Sequence, residues 1–93
     1  MLYMVVEDFR DGNAAAVYRR VQVQGRALPD GLRYVASWVR TDLARCWQVM
    51  ECDDLALLEQ WMQQWSDLVE FEIVRVLTST DAADAAAAAL GTA

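Results

Sequence analysis

Apolar and polar positions along this chain spell a β–α–β pattern twice. LYMVVE, from Leu2, is rich in β-branched and aromatic residues and predicts a strand over Leu2–Glu7. Asp11-Gly12-Asn13 follows as a loop ending in a good N-cap residue, so a helix is expected from Ala14 to about Arg26. Val17, Val21 and Leu28 form its apolar stripe, with Tyr18 and Gly25 beside it. Pro29-Asp30-Gly31 reads as a turn into a second strand, Leu32–Val39. Thr41-Asp42-Leu43 connects it to a third, Ala44–Cys52. Asp53 and Asp54 then open a helix with Leu55, Leu58, Trp61, Met62 and Trp65 at helical spacing, and Glu59, Gln60, Gln63 and Gln64 toward water. A fourth strand spans Leu68–Leu77. The expected fold class is α+β, order βαββαβ, in one domain over residues 1–79. Residues 80–93 form an alanine-rich tail, a short helix or disordered, with Ser79, Thr80 or Asp81 as its cap.

The strands carry large apolar groups on both faces. Tyr34, Ala36 and Trp38 alternate with Val35, Ser37 and Val39; Cys46, Gln48 and Met50 alternate with Arg45, Trp47, Val49 and Glu51; Val69, Phe71 and Ile73 alternate with Glu70, Glu72 and Val74. A sheet wetted on one face would alternate more cleanly. Right-handed crossovers put both helices on one side. The other side lacks cover from its own chain, and an apolar patch of that size predicts a homodimer, sheet against sheet.

Composition narrows the chemistry. The net charge is −6 and every basic residue is arginine, which argues against nucleic acid as a partner. The absence of histidine removes His-based triads, His–metal sites and a histidine haem ligand, and no metal or cofactor is expected. Cys46 and Cys52 stand roughly 20 Å apart on one predicted strand, too far for a disulfide, and are read as buried free thiols in a reducing cytoplasm. The apolar run Met1–Val6 is too short for a signal-peptide core, and no segment is long enough to span a membrane.

The series VYRR…GRALPDGLRYVASWV, ARCWQVMECDD and LEQWMQQWSDLVEFEIVRVLTS closely resembles small bacterial proteins grouped as domain of unknown function 3303. The resemblance covers about Met1–Ser79, leaves the alanine-rich tail outside, and departs at Arg75, where the strand-four pattern leads one to expect proline. It implies a ferredoxin-like unit of the dimeric α/β-barrel group. That scaffold hosts cofactor-free monooxygenases, isomerases, haem-degrading enzymes and proteins without known activity, so it does not supply a function.

The polar groups assigned to the uncovered face are Ser37, Arg45, Trp47, Glu51 and Glu72; a one-residue slip of the hairpin would instead group Ser37 with Cys46 and Gln48. Arg45 is expected either to pair with Glu72 or to present its fork to a carboxylate ligand. Glu51 or Glu72 could act as a general base if burial raised its pKa. Tyr3, Tyr34 and Trp38 could line a pocket for a flat ligand or form the dimer core. Arg19, Arg20 and Arg26 read as solvated or carboxylate-paired charges. Ser37, Trp38, Arg45, Trp47 and Glu72 are therefore the ligand-binding candidates. Three functions compete: a homodimer holding a small organic molecule in a cavity beside the sheet, a cofactor-free enzyme, and a structural or partner-binding module. A polar group deep in the cavity with a shifted pKa would favour the enzyme.

Overall fold

The computed structural model describes residues 1–91. Its elements are β1 (Leu2–Phe9), α1 (Ala14–Gln24), β2 (Arg33–Val39), β3 (Arg45–Glu51), α2 (Leu55–Trp65), β4 (Val69–Val76) and α3 (Ser79–Ala89), with a short 3-10 turn at Arg10–Gly12. The four strands form one sheet in the order β2-β3-β1-β4, and every neighbouring pair is antiparallel. This is the βαββαβ ferredoxin-like arrangement, two layers thick.

Local chemistry sets the helix ends. The Asn13 side chain accepts the Ala16 N–H at 3.1 Å and opens α1. Gly25, at φ +63°, ends it, earlier than the expected Arg26. Asp54 caps α2 by accepting from the Ala56 N–H at 2.9 Å. The hydroxyl of Thr78, one residue before the expected caps, accepts from Asp81 N–H and starts α3.

Along β1, Tyr3, Val5, Glu7 and Phe9 are buried and alternate with half-buried Leu2, Met4, Val6 and Asp8. Cys46, Gln48 and Met50 of β3 repeat this parity. Leu58, Trp61 and Trp65 of α2 and Val17 of α1 close over this face and complete the core. Covering each such large apolar group is worth about 1.5–3 kcal/mol. Arg75 leaves β4 intact: it pairs with Tyr3 and the strand continues to Val76.

The opposite face stays open. The register lays Trp38, Trp47, Val6 and Glu72 in one row across it, and Ala36, Val49, Met4 and Val74 in the next. Charged pairs flank these rows: Arg45 with Asp8 at one end, Arg33 with Glu51 at the other. Trp38 is 59% exposed and Val74 45%. Helix α3 contributes no buried residue. The radius of gyration is 15.5 Å, against about 12 Å for a compact chain of this length, and the longest dimension is 50 Å. The molecule is thus a two-layer body with an extended arm.

The hairpin departs from simple alternation. A β-bulge at Val35 places Tyr34 opposite Met50 but Ala36 opposite Val49. The extra residue flips the parity of β2 midway. Tyr34, Ser37 and Val39 therefore face the helices, while Ala36 and Trp38 face outward. Ser37 pairs with Gln48, so the expected grouping of Ser37 with Arg45 is corrected and the alternative one, with Cys46 and Gln48, is the one found.

Candidate functional site

A cavity of about 180 Å³ lies between the helices and the sheet. An engineered cavity of roughly 150 Å³ in another protein admits benzene, so a single ring fits this space. Val17, Tyr18 and Val21 of α1 form one wall and Trp61 and Trp65 of α2 another. The sheet supplies Glu7, Ser37, Cys46 and Gln48. Exposed Tyr18 and Arg26 mark the mouth.

Glu7 is the charged group deepest in this space, 8% exposed on the central strand. It pairs across the sheet with Cys46, whose thiol hydrogen-bonds its carboxylate. Burial raises the Glu7 pKa from 4.5 to about 7, while the Cys46 hydrogen bond and the positive charge of Arg26 hold it lower than burial alone would. Burial, reinforced by the charge and the hydrogen bond of Glu7, pushes the Cys46 thiol up to about 12. At neutral pH that thiol is protonated and is a hydrogen-bond donor rather than a nucleophile.

Arg26 is fixed from below. Both Trp61 Nε1–H and Trp65 Nε1–H donate to its carbonyl, at 2.8 and 3.2 Å, and the Gln64 amide donates to the next carbonyl, that of Ala27. Gly25 and Ala27 on either side have positive φ, the latter +57°. The Arg26 guanidinium stacks 3.8 Å above the Tyr34 ring and its Nε–H donates to Gln48 Oε1 at 3.2 Å. The Tyr34 and Ser37 hydroxyls are 2.8 Å apart.

The sequence-predicted residues divide between the two faces. Ser37 lines the cavity, whereas Trp38, Arg45, Trp47 and Glu72 lie on the open face. Arg45 does not pair with Glu72: it makes two bonds to Asp8, its cross-strand neighbour, at 2.7 and 3.0 Å, and lies 5.9 Å from the Trp47 ring. Glu72 is exposed opposite Val6, and Glu51 pairs with Arg33. Tyr3 and Tyr34 face the helices, away from Trp38. Arg20 is ion-paired with Asp67, whereas Arg26 joins the cavity.

Of Glu7, Gln48 and Arg26, only Gln48 was among the expected groupings, through the slipped register. Two of them left a signal. Glu7 shares parity with Tyr3 and Val5, and Gln48 stands between Cys46 and Met50, so alternation puts both polar groups on an apolar face. Arg26 left none, because its place depends on a loop pinned by a distant helix.

Fold and cavity together define a ferredoxin-like α+β unit with a pocket between its helices and sheet. The model of the domain of unknown function DUF3303 matches residues 1–90, and the chain belongs to that family. The match includes most of the alanine-rich tail, which was expected to lie outside the family resemblance. A search of curated proteins found no match. Among solved structures, protein Atu4242 from Agrobacterium tumefaciens is similar at 13% identity, covering 85% of this chain and 96% of that one, with a TM-score of 0.49. A candidate antibiotic biosynthesis monooxygenase from Deinococcus radiodurans shares 13% identity over 85% and 95%, TM-score 0.47. A dimeric ferredoxin-like protein from an uncultured marine organism shares 20% over 84% and 94%, TM-score 0.44. Likeness at this level says nothing of function. Among the described residues, no helix is long and apolar enough to cross a membrane.

Proposed function

We propose that this chain is a cytoplasmic homodimer that binds a small organic molecule, about one ring in size, in the cavity between helices and sheet. The observation that carries this reading is the cavity itself: aromatic walls, a few convergent polar groups, and a buried carboxyl at its base. Binding sites have this composition. Free buried thiols at Cys46 and Cys52 suit a reducing compartment.

The dimer rests on the open face. Four strands of seven or eight residues present on the order of 400 Å² in projection. A stable interface buries roughly 800 Å² per partner. The face supplies about half of that, and on this reading the arm α3, which has no buried residue in the subunit, adds the rest. Trp38, Arg45, Trp47 and Glu72 then belong to the interface, with Ser37 in the cavity.

The test is ligand capture. Native mass spectrometry of gently prepared protein, and a fragment screen read by tryptophan fluorescence, should find small aromatic compounds bound. Val21→Trp, which fills the cavity from its α1 wall, should abolish binding while circular dichroism stays native. Absence of binding across the screen refutes the reading and leaves the structural or partner-binding module.

One observation favours an enzyme as second reading. A carboxyl with a pKa near 7 is matched to proton transfer at neutral pH, so Glu7 could take a proton from a bound ligand. Deuterium exchange into a bound carbon acid, lost in Glu7→Gln, would support it; no exchange would refute it.

A further inference from the structure

The pocket's one strongly basic group is an arginine with its charge unspent. Arg10, Arg20, Arg33, Arg40 and Arg45 each form an ion pair with a carboxylate. Arg26 makes no such pair among the described residues, in a chain of net charge −6. Its Nε–H is used on Gln48 and its plane rests on Tyr34, which leaves the terminal N–H groups free in a fixed orientation. A planar fork held in this way matches a carboxylate in two parallel hydrogen bonds. Three hydrogen bonds from α2 hold the Arg26–Ala27 backbone with Ala27 in the left-handed region. The turn carrying Arg26 is therefore rigid before any ligand arrives, and less ordering entropy opposes binding.

We propose that the pocket takes a small monocyclic organic acid as its anion, the carboxylate on the Arg26 fork at the mouth and the ring between Val17, Val21, Trp61 and Trp65. This rests on the reading of the cavity as a ligand site. Gln48 and Glu7 meet the inner end of the ligand. The Gln48 carbonyl is occupied by Arg26, which leaves its NH₂ as a donor. Glu7 receives the Cys46 thiol and, when protonated, donates its own proton inward.

Glu7 makes the binding depend on pH. The groups facing it are Cys46 from β3, Tyr18 from α1 and Arg26 from the loop after α1; α2 brings Trp61 and Trp65 and β4 brings Phe71, all uncharged. Ionised Glu7 repels an anion and competes for Arg26, whereas protonated Glu7 does neither. Linkage then requires that the anion bind best where Glu7 holds its proton and that binding draw a proton in.

The test uses benzoate as the anionic probe and benzyl alcohol as its neutral counterpart, each titrated by tryptophan quenching from pH 5.5 to 8.5. Benzoate, ionised throughout, should bind at least tenfold tighter at the lower pH; benzyl alcohol should change little. Arg26→Gln should weaken benzoate tenfold or more and spare benzyl alcohol. Glu7→Gln should flatten the pH dependence. If benzyl alcohol binds but benzoate gains nothing from Arg26 or from low pH, the anion inference fails and the cavity remains a ligand site. If neither probe binds, both readings fail.

Discussion

Replacing Glu7 with glutamine removes the charge from the base of the cavity while keeping its shape. The carboxyl ordinarily titrates at 4.5 and in the fold at about 7, with burial as the leading cause. The folded state therefore holds a proton that the unfolded chain has released, between about pH 4.5 and 7. Native protein binds more protons in this window, so stability falls as pH rises through it and levels off above. At 1.36 kcal/mol per pH unit the full loss is roughly 3 kcal/mol, of which about 2–3 kcal/mol falls between pH 5 and 8. Glutamine does not titrate. Urea unfolding of wild type and Glu7→Gln, at one fixed protein concentration because the proposed dimer would couple dissociation to unfolding, should show a gap that widens in the variant's favour by about 2–3 kcal/mol from pH 5 to pH 8. A gap that stays constant across that range would refute the buried, raised carboxyl. A gap that widens the other way would mean that Arg26 pairs with ionised Glu7 and outweighs burial.

Three further outcomes are expected. Trp38→Glu places a charge on the open face without touching the subunit core, and sedimentation velocity should move from dimer to monomer at micromolar concentration while the circular dichroism spectrum is retained; an unchanged dimer removes that face from the interface. Ala27 at φ +57° bears the steric cost of the left-handed region, so Ala27→Gly should raise stability by about 1 kcal/mol in urea melts, and a loss would show the turn to be unstrained. Cys52 is buried in the core, and Cys46, which lines the cavity, is held protonated by burial and by Glu7, so both should resist alkylation of native protein at pH 8 and react fully in urea; rapid native labelling of Cys52 would contradict its place in the core, and of Cys46 its raised thiol.

Much of this architecture was readable from spacing alone. Alternation along Leu2–Glu7 and the 3.6-residue rhythm of Leu58, Trp61 and Trp65 are local properties, recorded in neighbouring side chains, and they determined the elements, the helix-covered face and the apolar surplus on the other. The family motifs agree with that reading. The candidate site was less legible. Ser37 was assigned to the open face because the expected parity ran unbroken through β2; a single extra residue at Val35 turns it inward, and nothing in the strand's own composition marks the bulge. Arg45, expected to meet Glu72 or a carboxylate ligand, instead finds Asp8 directly beside it in the order β2-β3-β1-β4. Arg26 read as an ordinary surface charge until the indole N–H groups of a helix about forty residues away were seen to grip its carbonyl. Sequence by itself therefore determined which residues form strands and helices and which surfaces are apolar. Tertiary structure decided which polar groups meet, because register, bulges and loop anchors depend on contacts between segments far apart in the chain, where no short-range period reaches.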